Sequence, residues 1–259
     1  MMKIPKKVLE RFSKDLKKFQ TVALSHKTKD VSEADTVTLV KDILSSVFGY
    51  DKYEELTSEQ LIRGTYCDLA VKIEGKVKYL IEVKGAAITL NNTHMQQAIN
   101  YGVGHGIEWV VLTNSLDWRL FRIKFGQQYE VEEVSSFNLC NINLKSEDDL
   151  NKLFLLCKEG ISSDAMDIYH QHTQLVNKFV IAQITTSDPI VSLVRRELKK
   201  LFPEIKVEAE QILDILTNEV LKREVIEGDK VKETQAKIKK ATSKIARQSA
   251  KKAVEPSAT

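Results

Sequence analysis

Cysteine is scarce: Cys67, Cys140 and Cys157 are the three in 259 residues, odd in number and widely spaced. That argues against a disulfide framework and a zinc cluster, and leaves free thiols as the expectation. No apolar run reaches the roughly eighteen residues of a membrane span, and the opening MMKIPKKVLERF has no apolar signal core. No membrane is expected, and the cytoplasm is the default location. No G-x-x-x-x-G-K-[ST] occurs, and Gly75-Lys76 lacks the upstream glycine, so the chain carries no P-loop motor and no ATP is expected. No internal repeat is visible.

What is present is a globular composition, 42% hydrophobic and 29% charged. The length suffices for one large domain or two small ones. The net charge of +3 hides an asymmetry: Lys230 to Lys252 holds nine basic residues and one acid, while the first 229 residues are net acidic. Histidine offers little, since His170 and His172 stand two apart on an expected helix and face different sides.

The most informative stretch runs from Asp68 to Tyr101. Two apolar runs, Asp68 to Ile73 and Val77 to Lys84, flank Glu74-Gly75-Lys76 and predict a β-hairpin. If three residues turn the chain, Ile73 pairs with Val77 and Asp68 falls opposite Glu82, with Lys84 on the same face. Carboxylates facing each other across a ladder, roughly 4.5 to 5.5 Å apart at Cβ, repel and call for compensation. A Mg²⁺ ion, held by one or two carboxylates and completed by waters and a phosphate, would supply it. Lys84 would then orient or help deprotonate an attacking water and neutralise charge on the phosphate. Gln97 and Tyr101, four apart on the following helix, share one face.

Asp68, thirteen residues, Glu82-Val83-Lys84, then Gln97-x-x-x-Tyr101 resembles the PD-(D/E)xK nuclease superfamily, its QxxxY part the RecB-like branch. A closer similarity is to the N-terminal nuclease domain of type I restriction enzyme R subunits. The segments SEADTVTLVKDILSSVFGYD, RGTYCDLAV, LIEVKG, QAINYG and WVVLTNSLDWRLFRI carry it over about residues 30 to 125. The resemblance implies a restriction-endonuclease-like α/β/α sandwich with a central mixed sheet. It implies Asp68 and Glu82 as ligands of Mg²⁺ or Mn²⁺, the Val83 carbonyl as a third, and Lys84 as the catalytic lysine. Gln97 and Tyr101 become supporting or DNA-backbone contacts. Cys67 stands where the family name has proline, a position that varies widely.

Along the chain, residues 4 to 20 show amphipathic helical spacing. Ser32 is a plausible N-cap of a helix to about Phe48 with a stripe of Val37, Val40, Leu44 and Val47. Extended backward, that stripe lands on Glu33. Its carboxylate is either favoured by the helix N-terminus or aimed at the site, and the resemblance favours the second. Asp51 to Arg63 reads as loop or part helix, and Gly64 as the relief of a bend. A helix from His94 to about Gly102, capped by Thr93, should end at Gly104-His105-Gly106. Glu108 to Thr113 and Trp118 to Lys124 read as strands around a turn at Asn114 to Asp117, the first parallel to a hairpin strand. Trp118, Arg119 and Arg122 are candidates to line a DNA groove.

From about Ser146 the periodicity is helical, with REVIEGDKVKE a candidate small hairpin or wing. The tail from about Gln235 has little to bury and should be disordered or a frayed helix, adding salt-sensitive DNA affinity. Three regions are thus expected: a nuclease-like domain over 1–135, a helical region over 136–226 and a basic tail over 227–259. The functional expectation is a Mg²⁺-dependent endodeoxyribonuclease for restriction, defence or repair. Its partners would be DNA and either copies of itself or restriction-system subunits. The alternative is a catalytically silent DNA-binding or assembly protein that keeps the fold.

Overall fold

The computed structural model describes residues 2–62 and 65–254; the bend expected at Arg63-Gly64 lies outside them. The chain divides into two compact units, one ending at His170 and the other beginning at Gln171. The first holds a six-stranded mixed sheet and the second is helical. Among the described residues no helix is long and apolar enough to cross a membrane.

In the first unit, α1 (Lys6–Lys29) buries Val8, Phe12, Leu16, Phe19 and Ala23. These recur at three and four residues and form one face of a helix. Asp30, at φ 50°, stops it. Helix α2 (Glu33–Ser46) begins at Ser32, whose hydroxyl accepts from the Asp35 amide, so the expected cap is present. Its buried stripe is Thr36, Leu39, Val40, Ile43 and Leu44, rotated from the expected one so that Val37 is only partly buried.

The strands are β1 (Leu56–Ile62), β2 (Thr65–Ile73), β3 (Lys76–Val83), β4 (Trp109–Thr113), β5 (Asp117–Lys124) and β6 (Glu130–Asn138). They lie in sequence order, and every neighbouring pair is antiparallel except β3 and β4. The crossover between those two is α3 (Asn92–His105), as a parallel pair requires. Asn91, not Thr93, caps α3 through the His94 amide, and Gly106, at φ 68°, ends it within the expected Gly104-His105-Gly106 stop.

Strand faces alternate between two helical layers. Leu69, Val71, Tyr79, Ile81 and Val111 pack with α1 and α2. On the other face Val110, Leu112, Phe121 and Ile123 pack with Ala98 and Ile99 of α3. Gly102 sets how closely α3 approaches: an added Cβ would lie 2.4 Å from Ile123 Cδ1 and 2.6 Å from Val110 Cγ2. Gly102→Ala is therefore expected to destabilise by about 1 to 3 kcal/mol, read as a lower urea midpoint at unchanged slope. An unshifted midpoint would show that α3 can lift off freely.

Two expectations change. Residues 56–62 form an edge strand instead of a loop, because β2 offers a backbone partner along that length. The first unit continues past 135, which falls inside β6, through α4 (Glu147–Leu155), α5 (Lys158–Ser162) and into α6 (Ala165–Leu175). Phe154, Cys157, Ile161 and Met166 complete its core.

The second unit continues with α7 (Lys178–Thr185), α8 (Asp188–Leu201), α9 (Ala209–Ile215) and α10 (Asp229–Val254). Asn177 separates α6 from α7 and caps α7. No wing forms at 223–233: a single 3-10 turn (Arg223–Val225) leads through Gly228 into α10. The basic segment is thus helical to Val254.

Candidate functional site

The hairpin of β2 and β3 reaches the expected pairing by a different route. Its turn has two residues, Glu74 and Gly75, both at positive φ (51° and 74°), the pattern that matches strand twist. Ile73 therefore pairs with Lys76, not Val77. Lys78 is then bulged out of the ladder, since Lys72 pairs with Val77 and Val71 with Tyr79. The bulge restores the register, so the last pair is Leu69 with Ile81, and the next step brings Asp68 to Glu82.

At that step the ladder stops and side chains take over. Asp68 Oδ2 accepts from the Val83 amide at 2.7 Å. The Cys67 thiol donates to the carbonyls of Ile81 (3.2 Å) and Leu69 (3.4 Å). Burial, then the charges of Glu82 and Asp68, pushes the Cys67 thiol up to about 12. It is a thiol in the wall of the site and not a nucleophile. All three cysteines are free.

Glu82 is 2% exposed. Its Oε1 receives Lys84 Nζ at 2.5 Å, and its Oε2 is buried with no hydrogen-bond partner among the described residues. Burial raises its carboxyl to about 7; the Lys84 bond opposes this, while Asp68 and Glu33 add to it. Lys84 is fixed by its amide, which donates to Thr113 O at 2.8 Å and carries the parallel ladder one residue beyond β3. Burial pulls the Lys84 ammonium down, but the bond and charge of Glu82, with Glu33 and Asp68, lift it above its ordinary value.

Glu33 stands 4.0 Å from Lys84 Nζ. Its helix is held there by Thr36, whose buried hydroxyl accepts from the Ala86 amide at 3.1 Å. Thr36 is a positioning residue that the sequence pattern passed over, because the expected stripe of Val37, Val40, Leu44 and Val47 lay on a face rotated from the buried one. Four expected site residues, Glu33, Asp68, Glu82 and Lys84, therefore meet at the carboxyl end of β3.

Gln97 and Tyr101 form a separate pair on α3, the amide donating to the phenol oxygen at 3.3 Å. Tyr101 packs on the Cys67, Ala70 and Leu80 cluster, the face of the sheet to which Glu82 belongs. With Thr93, Gln96 and Asn100 the two line an open groove of about 400 Å³.

Trp118 and Arg119, with Thr89, Leu90, Asp117 and Glu133, line an open groove of about 350 Å³, whereas Arg122 is not in its lining. Trp118 is 1% exposed and stacks on Phe137. Arg119 pairs with Glu133 at 2.6 Å. Arg122 pairs with Asp167 at 2.9 Å, meets His170 Nδ1 at 2.9 Å and lies over Trp109. His170 Nε2 faces Glu132 at 2.9 Å, so this histidine is a buried hydrogen-bond bridge between β5 and β6.

Among the described residues no three His, Cys, Asp or Glu side chains form a metal-holding group. A Mg²⁺ site needs only one or two carboxylates, with water and phosphate as the rest. The unpartnered Glu82 oxygen beside Asp68 fits that smaller set. Family models, curated proteins and solved structures were each compared with the chain, and none matches it.

Proposed function

We propose that this chain is a metal-dependent nuclease that hydrolyses phosphodiester bonds in DNA, on a restriction-endonuclease-like fold of the PD-(D/E)xK type. The observation that carries the reading is the Glu82 carboxylate, buried with one oxygen unpartnered, facing Asp68 across a parted ladder and bonded to Lys84. Burying a carboxylate is costly even when it is paired, and a fold that keeps one beside a second carboxylate has reason to.

Asp68 and Glu82 would hold Mg²⁺ or Mn²⁺, which when bound acidifies water and draws charge from a phosphate. Lys84 is held as an ammonium by three carboxylates. Its part is to offset charge building on the phosphate and to orient Glu82, and not to take the proton from water. Glu33 aims Lys84 from the start of α2. Gln97 and Tyr101 offer an amide and a phenol to a DNA backbone along α3.

The test is cleavage of circular and linear, single- and double-stranded DNA with Mg²⁺ or Mn²⁺. Metal-dependent cutting is expected from the wild type, reduced at least about 100-fold in Glu82→Ala and Lys84→Ala. A folded wild-type protein that binds DNA but cuts none of these substrates would replace the reading with that of a silent binding module.

A further inference from the structure

The second unit buries little. Among its described residues the buried apolar side chains are Ala182, Val191, Ile212, Val225 and Val231. Five small to medium side chains are a thin core for a separate helical unit with no cysteine to staple it.

The missing burial has a visible location. Helix α8 carries an apolar stripe at Val191, Val194, Leu198, Leu201 and Phe202, spaced by three and four. It is covered at its start, with Val191 4% exposed, and bare at its end, with Leu201 69% and Phe202 63% exposed. Ile205, at 55%, and Val220, at 62%, continue the bare surface through the loop and past α9. Leu213, at 38%, and Ile215, at 50%, add exposed apolar side chains on α9, and a cluster of large exposed apolar residues rimmed by charge marks an interaction surface.

Charge selects the occupant. Between Arg195 and Lys200 there are four basic residues and one acid, while between Glu204 and Glu219 there are five acids and one lysine. Within the chain these are only partly matched, through Arg195–Glu208 at 3.6 Å and Lys206–Glu208 at 2.7 Å. A partner of uniform sign would be repelled by one half of this surface. A second copy turned about a two-fold axis sets basic α8 against acidic α9 twice, with the apolar stripe between them.

We infer that the α8–α9 face is a two-fold interface between two copies of this chain. Sedimentation velocity of the full chain, from about 1 to about 100 µM, tests it against a monomer of 29.5 kDa. The wild type is expected to pass from monomer to dimer over that range. Leu201→Glu and Phe202→Glu should each weaken the dimer at least about 30-fold, with helix content and melting temperature of the monomer unchanged. Lys199→Glu should weaken it too, and adding Glu210→Lys should restore it. If either glutamate at 201 or 202 unfolds the unit, Leu201→Ser and the exposed Lys199→Glu read the same equilibrium. A wild type that stays monomeric throughout overturns the inference. A dimer indifferent to all these changes overturns it by placing the contact elsewhere.

Discussion

Arg11→Ala is expected to lower the stability of the protein at pH 7 by about 1.5 to 3 kcal/mol, the range for hydrogen bonds to a charged group and below that for a fully buried ion pair. Arg11 forks onto Glu159, Nη1 to Oε1 at 3.1 Å and Nη2 to Oε2 at 2.8 Å. It also donates to the carbonyls of Val47 (2.8 Å) and Phe48 (3.2 Å), just past α2. One guanidinium thus joins α1, the end of α2 and α5, and both side chains are less than a fifth exposed. The guanidinium lies so close over Gly49, itself at φ 86°, that a Cβ there would meet it at 2.4 Å. Arg11→Lys keeps the charge but not the planar fork, so an intermediate loss is expected.

The same pair sets an acid limit. Burial would raise the Glu159 carboxyl, but the Arg11 hydrogen bonds and charge outweigh it and hold the group at about 2, against an ordinary 4.5. A folded value below the unfolded one means that the unfolded chain takes up the proton first. The contribution is complete above about pH 5 and is lost as pH falls toward 2. Urea melts from pH 7 to pH 3 should show wild type converging on Arg11→Ala. A constant gap between the two curves would show that Arg11 acts by packing alone.

That pair also shows what sequence reading can reach. Arg11 and Glu159 lie 148 residues apart, and nothing local in either segment marks the other. Local chemistry, by contrast, was legible: the Ser32 cap, the strand from Trp109 to Thr113 and the Asn114 turn all form where their residues predict. Strands β1 and β6 were not legible, since LTSEQLI and EVEEVSSFN are polar and become strands by pairing with neighbours. The meeting of Asp68 with Glu82 was expected for a partly mistaken reason. A three-residue turn was assumed, and a two-residue turn with a bulge at Lys78 gives the same register beyond it. Period-two counting is robust to that substitution, because the turn lost one residue and the bulge returned it.

Glu82→Gln is expected to make the protein more stable at pH 8, by about 1 to 3 kcal/mol, while abolishing cleavage. Burial holds the Glu82 carboxyl near 7 against an ordinary 4.5. The folded state therefore keeps its proton over a range where the unfolded chain has lost it. Stability falls as pH rises from about 4.5 to about 7 and is level above, a shift of roughly two and a half pH units at 1.36 kcal/mol each setting the ceiling. Glutamine stays neutral, can still accept from Lys84, and removes that fall. Loss of the charge that Lys84 faces subtracts from the gain, leaving Glu33 and Asp68 to hold the ammonium. Thermal melts of wild type and variant at pH 4.5 and pH 8 should therefore meet at the lower pH and separate at the higher. Adding Mg²⁺ at pH 8 tests the proposed role independently of any DNA substrate: a cation held by Asp68 and Glu82 raises the melting temperature of the wild type and not that of Glu82→Gln. Equal shifts in the two proteins would place the cation elsewhere and leave the buried carboxylate as a feature of the fold alone.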